Sequence, residues 1–415
     1  MALKMTVFLI IVLSLPLLAQ KETQLLKLND VLEIANKNNP ALKNAKLDLK
    51  KSKEMQWSGL GLDNPKLMFM QEGIESSSYN GFAERQIGIQ QNIDFPLKSY
   101  FRTASLIRAK KASKALVDYQ QNKLRANVKI AYTKVLYAKR LQKLQQKELE
   151  IADRLHRISD SRFKSGDASE LEFMRTEIRL SESKNALEEA ANIYHATRYN
   201  LFETIGLDAE EQRYSLEFYD TLLFKDPNFD EEDLFVNSMK QPILIAVEHQ
   251  IQSAKNKKYE VGSSFFPDIS LNLYKQDFGN GYDFVGFEAG FSIPLWFFSN
   301  QAVDLSSAKV RYAKAVNEKH KINLQIKKEI ELAWHNYKKN QVILTRYDSK
   351  ILDRVNQLMQ ATVKGYELGE IDLLNLLDTQ RTFINSRKNY FKVLRDYYIS
   401  LIELEQFTDN ELVYN

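Results

Sequence analysis

VGFEAGFSIPLWFF, Val285 to Phe298, alternates with a period of two until it meets a proline and a run of aromatic rings. Val285, Phe287, Ala289, Phe291 and Ile293 are apolar, while Gly286, Glu288, Gly290 and Ser292 between them are polar or tiny. That pattern belongs to a β-strand with one greasy face. A second stretch repeats it: Ile87, Ile89, Gln91, Ile93 and Phe95 alternate with Gly88, Gln90, Asn92 and Asp94. Each has a partner upstream, Pro65–Glu72 and Asp268–Lys275, the latter alternating Ile269, Leu271 and Leu273 with Ser270, Asn272 and Tyr274. We therefore expect strands over about 65–72, 86–95, 268–276 and 284–294, of the roughly 8 to 11 residues that cross a bilayer.

The connecting loops are polar: Gly73–Glu84, and Gln276–Asp283 with Phe278-Gly279-Asn280-Gly281. A glycine-rich loop cradles phosphate when it opens a helix, whereas this one joins two alternating strands and reads as a turn. Met68 and Met70 alternate along the first strand, where lipid or barrel wall explains them better than soft-metal handling.

The two strand pairs belong to an internal duplication. Six of the eight prolines fall into pairs at nearly one spacing: Pro40 with Pro242, Pro65 with Pro267, and Pro96 with Pro294; Gly166 and Gly369 extend the series. The 415 residues thus divide into a signal peptide (1–19), a first repeat (20–206), a linker (207–230) and a second repeat (231–415). The signal rests on Lys4, the apolar run Met5–Leu18 and the small exit residue Ala19, a run too short to span a membrane as a helix. Cleavage is expected after Ala19 or Gln20.

Outside the strands the period changes. From Leu97 to Ser165 there is neither proline nor glycine, a stretch of roughly 100 Å as a helix. Leu124, Val128, Ala131, Val135 and Ala138 recur at steps of four and three, which is coiled-coil spacing. Asn300 to Leu368 behaves alike through Ile330, Ala333, Tyr337 and Leu344. Taken alone, this periodicity also fits a long solvated coiled coil. Glycine turns at Gly166 and Gly369 lead into return helices, with Ser169 and Glu172 spaced as a capping box, so helical hairpins cover about 97–206 and 296–408. Shorter helices precede the strands, about Pro40–Gly59 and Pro242–Val261, with proline where a first turn tolerates it.

Four strands with one apolar face leave two open edges, and a spanning sheet must close. Four are too few for a barrel, so several chains must contribute; three copies give twelve strands. Phe265, Phe266, Trp296, Phe297 and Phe298 lie just outside the third and fourth strands, as an aromatic girdle would, although core burial of such rings is the ordinary alternative.

Composition excludes other classes. A net charge of +4 over 27% charged residues is the balance of a solvated helical surface, not of a nucleic-acid binder; the cluster Lys43, Lys46, Lys50, Lys51 and Lys53 reads as the wet face of a helix. The chain has no cysteine, hence no disulfide and no lipid-anchoring thiol. The five histidines lack ligand spacing, and neither a phosphate loop nor a nucleophile elbow is present, so no metal, no cofactor and no enzymatic activity are expected.

YELGEIDLLNLLDTQR, Tyr366 to Arg381, and its weaker first-half copy FKSGDASELEFMRTEI, Phe163 to Ile178, resemble the tip motifs of the TolC-like outer membrane efflux proteins. The resemblance implies an internally duplicated, mainly α chain with membrane β-structure, whose trimer forms a 12-stranded barrel continued by a periplasmic tunnel of helical hairpins. It implies the outer membrane of a bacterial cell, and partners in lipid, a periplasmic adaptor and an inner-membrane pump, for which the channel is a passive exit duct. A duct for a type I secretion system and a periplasmic coiled-coil scaffold are the competing readings. By resemblance the turns at Gly166 and Gly369 meet the adaptor, and Asn375 and Asp378 match two pore-narrowing acidic sites, of which only the second is acidic here. Asp378 could equally pair with Arg175 or Arg381. Tyr366 and Glu172 match two members of a latch that closes the tip; its basic position holds Ile371 here, and Glu172 could instead serve its helix cap.

Overall fold

A computed structural model describes residues 25–73, 82–208, 217–218, 222–227, 229, 231–278, 283–348, 351–408 and 411–413. The expected signal peptide and the Gly279-Asn280-Gly281 turn lie outside them. In chain order the elements are β1 (Leu25–Leu26), α1 (Leu28–Asn38), α2 (Pro40–Glu54), β2 (Lys66–Glu72), β3 (Glu84–Ile93), α3 (Pro96–Ser165), α4 (Glu170–Ile205), β4 (Glu217–Phe218), α5 (Glu231–Ser238), α6 (Pro242–Gly262), β5 (Asp268–Asp277), β6 (Asp283–Ser292), α7 (Gln301–Asp348), α8 (Ile351–Glu367) and α9 (Leu373–Glu405).

The four long strands form one antiparallel sheet in the order β2-β3-β5-β6. Leu67, Ile89, Leu273 and Phe287 form one row across all four strands. Each of these side chains is exposed, Leu67 at 85%. The neighbouring row is Met68, Gly88, Tyr274 and Gly286. The Tyr274 ring lies over Gly286, where an added Cβ would sit 2.3 Å from it. The pleat thus sends most of the apolar residues to one face, and glycine, tyrosine and amide residues together with Met68, Met70 and Phe284 to the other. Met68 and Met70 stand opposite Gly88 and Gln86, on the second face of the sheet.

Strand ends differ from the expected ones by a few residues. β3 stops at Ile93 because Asp94 and Phe95 turn the chain into α3, whose first residue is Pro96. β6 stops at Ser292, and Leu295–Asn300 form turns, so the second hairpin begins at Gln301 rather than near 296. The second short helix of the first repeat ends at Glu54, and Trp57–Leu60 follow as a 3-10 turn.

α3 is one helix of 70 residues, about 105 Å long. It packs along α4, α6 and α9. The main core lies midway along it, where Val128, Tyr132 and Val135 meet Leu201, Ile205, Ile330, Tyr397 and Leu401. Lys129 is buried there in an ion pair with Glu405. At this level β1 pairs in parallel with β4, and residues 223–226 between the repeats are fastened down. Tyr398 and Tyr397 donate to the carbonyls of Leu223 and Lys225 at 2.8 and 2.9 Å, and Tyr337 and Gln341 donate to Asp226 at 2.9 and 2.6 Å. Burial and the Asp226 carboxylate push the Tyr337 hydroxyl well above its usual range, so it stays a donor. Among the described residues, no helix is long and apolar enough to cross a membrane.

Candidate functional site

The two glycine turns have one backbone design. Gly166 (φ 86°) and Gly369 (φ 77°) sit in the left-handed region, which L side chains enter only at a cost. Asp167 N–H reaches the Arg162 carbonyl at 2.8 Å, and Glu370 N–H reaches the Gly365 carbonyl at 2.8 Å. Both return helices are capped by a side chain: Ser169 accepts from the Glu172 N–H at 3.2 Å, and Asp372 from the Asn375 N–H at 2.8 Å.

Between the turns lies a small closed cluster. Tyr366, fully buried, donates its hydroxyl to Glu172 at 2.5 Å. The Arg162 guanidinium stands 3.8 Å from the same carboxylate and 5.3 Å from the centre of the Tyr366 ring. Burial, helped by the Glu172 hydrogen bond, pushes the Tyr366 hydroxyl up to about 12. A neutral phenol therefore bridges the two hairpins at any physiological pH. The Glu172 carboxylate faces the tyrosine, while its backbone N–H serves the cap.

Ile371 holds no charge but has a place. It packs over Gly365, where an added Cβ would lie 2.7 Å from its Cδ1. The cation beside Tyr366 and Glu172 comes instead from Arg162, on the other hairpin. The sequence offered a signal for it, because Arg162 lies four residues before Gly166, in the last turn of α3.

Asn375 and Asp378 are exposed and one turn apart on α9. Asn375 also donates its side-chain amide to Asp372 at 3.2 Å. Asp378 lines a groove of about 600 Å³ between α4 and α9, shared with Arg175 and Arg381, but forms an ion pair with neither. The floor of the groove carries a cluster that patterning did not reveal. Glu148, almost completely buried, accepts from Arg179 at 2.7 Å and from Gln380. Burial raises the Glu148 carboxyl above its usual range although Arg179 opposes the shift.

A second polar cluster lies where the sheet meets the helices. Asp94 accepts from Lys98 and Arg102, both at 2.6 Å. Lys98 also reaches Asp268 at 3.1 Å, and Arg102 reaches Glu260 at 3.1 Å. Burial works against the Asp94 charge, but its two cations prevail and hold the carboxyl below the usual range. These contacts tie the first repeat to the second. Phe266 stacks on Phe95 at 4.7 Å and Phe265 tilts against Phe297 at 6.3 Å. Trp296, Phe297 and Phe298 stay exposed. Among the described residues, no cluster of three or more histidine, aspartate or glutamate side chains stands ready to hold a metal.

The family model described as outer membrane efflux protein matches residues 31–207 and 239–409. The cobalt-zinc-cadmium resistance protein CzcC of Cupriavidus metallidurans is 22% identical over 339 residues, 81% of this chain and 79% of its own. Among solved structures, the CmeC outer membrane channel of Campylobacter jejuni superposes with a TM-score of 0.80 at 16% identity, over 92% of this chain and 85% of that one. The outer membrane protein VceC of Vibrio cholerae gives 0.76 at 15%, over 92% and 95%. Each half of the family match holds one strand pair and one helical hairpin.

Proposed function

The chain belongs to the outer membrane efflux protein family, and from that premise we propose that three copies close into a passive exit duct served by a periplasmic adaptor and an inner-membrane pump. It is a channel of the outer membrane, with its helical part in the periplasm, and not an enzyme. The observation that carries the trimer is the four-stranded sheet: it ends at β2 and β6 and exposes a row of apolar side chains on one face. In a bilayer such edges must find partners, and copies of the same sheet supply them. Native mass spectrometry of the detergent-extracted protein tests this. A mass of three chains is expected; a single chain, or release without detergent, overturns it.

The tip carries the gate in this reading. Tyr366, Glu172 and Arg162 hold the second hairpin against the first, Asn375 and Asp378 narrow the pore, and the turns at Gly166 and Gly369 meet the adaptor. Phe265, Phe266, Trp296, Phe297 and Phe298 stand at the membrane boundary. Opening is a shift between two packings of the hairpins, driven by partners. Energy comes from the pump, since no nucleotide loop is present in the chain.

The name of the Cupriavidus relative, a cobalt-zinc-cadmium resistance protein, makes divalent metal ions the first cargo to test. A deletion strain should become sensitive to cobalt, zinc or cadmium. Loss of an exported protein without that sensitivity would favour a secretion duct.

A further inference from the structure

The duplication makes the junction between the two repeats of one chain a template for the junction between neighbouring copies. Within the chain β3 pairs with β5, the second strand of one repeat with the first strand of the next. At the open edges the corresponding pair is β6 of one copy with β2 of another. The shared prolines fix which residues correspond. Asp94-Phe95-Pro96-Leu97-Lys98 matches Ser292-Ile293-Pro294-Leu295-Trp296, and Phe266-Pro267-Asp268 matches Asn64-Pro65-Lys66. By the same spacing Glu260 matches Ser58.

The internal junction is ionic, with Lys98 and Arg102 spanning Asp94, Asp268 and Glu260. None of these three acids has an acidic counterpart at the edges, where Ser292, Lys66 and Ser58 stand instead. The Lys98–Asp268 pair, 3.1 Å apart inside the chain, becomes Trp296 facing Lys66. Trp296 is 68% exposed, and Lys66 is exposed on the first residue of its strand. An ammonium over an indole face is an attractive pair, strengthened where water is scarce.

We propose that neighbouring copies are joined at the base of the barrel by Trp296 of one chain over Lys66 of the next, so that ionic and cation–π junctions alternate around the ring. This rests on the multichain reading above and assigns the partner of one named pair within it. It gives Trp296, whose ring meets that of Phe298 edge-on at 6.0 Å, a role in assembly, and leaves Phe297 and Phe298 to meet lipid.

The absence of cysteine makes the test clean. A chain carrying both Lys66→Cys and Trp296→Cys, oxidised in its own membrane, should give a ladder of disulfide-linked multimers, and either single variant should not. An assembled multimer by native mass spectrometry that yields no ladder overturns the pairing while leaving the assembly standing. A single-chain mass overturns both. A second measurement is the temperature at which the oligomer dissociates in detergent. Trp296→Leu and Lys66→Met should each lower it, the two together should lower it no further, and Lys66→Arg should keep it. Fully additive losses from the double variant would show that the residues do not meet.

Discussion

At the scale of single residues, the tip cluster is a neutral hydroxyl held between a carboxylate and a guanidinium. Removing the Tyr366 hydroxyl leaves Glu172 without its closest donor, and a hydrogen bond to a charged group is worth about 1.5–3 kcal/mol. Tyr366→Phe should raise single-channel conductance in planar bilayers, and Arg162→Ala should do the same. If Tyr366→Phe combined with Glu172→Gln conducts like the parent, the cluster does not hold the tip. The pH behaviour follows from the raised hydroxyl. A group whose folded pKa lies above its unfolded value stabilises fully below the unfolded value and loses that contribution as pH climbs through the folded one. For Tyr366 the window runs from about 10 to about 12, so its contribution should be flat between pH 6 and 9. Glu148 obeys the same sign with burial as the cause: its favourable state is the protonated one, and stability is lost as pH rises through its raised pKa. Glu148→Gln should therefore melt at or above the parent temperature at pH 7.5, with the difference vanishing at pH 4. A variant that melts well below the parent at pH 7.5 would show that the Arg179 contact outweighs the burial cost.

At the scale of elements, the glycine turns make the sharpest prediction. An added Cβ at Gly166 or Gly369 meets nothing within 4 Å, so alanine there costs only the left-handed backbone, about 1–2 kcal/mol. The two substitutions should lower stability equally in thermal melts, and asparagine should cost less than alanine. Gly286 is the opposite case, since its strand geometry is ordinary but the Tyr274 ring fills the space above it. Gly286→Val should impair barrel assembly, and adding Tyr274→Ala should restore it; yield of folded protein in the outer membrane decides. The strands and turns were legible because a period of two and a lone glycine are local signals. Strand ends were less so, because Asp94 and Phe95 continue the alternation while their backbone already turns into α3. Glu148, Arg179 and Gln380 could not be read at all. They lie on three different helices, and nothing in the spacing of one helix announces which polar residue another will bury.

At the scale of the whole molecule, the duplication is what made the architecture readable, because paired prolines place strands and hairpins in both halves without any tertiary information. The tip cluster was half legible. Tyr366 and Glu172 stand out in the tip motifs and meet in the structure, whereas the cation beside them is Arg162 of α3 and not the residue at position 371 in the turn before α9, which only the packing of one hairpin on another reveals. The inter-repeat segment shows the same limit. Within this linker, residues 223–226 are held by Tyr337, Tyr397 and Tyr398 at the level where the main core sits.

At the same level α3 is gripped by the core through Val128, Tyr132 and Val135. A single helix of 70 residues held near its middle has the geometry of a lever. Its other arm is bound beneath the sheet to the second repeat by Lys98 and Arg102, so the rod has its fulcrum at the core, an anchor at the membrane end and its load at the glycine turn.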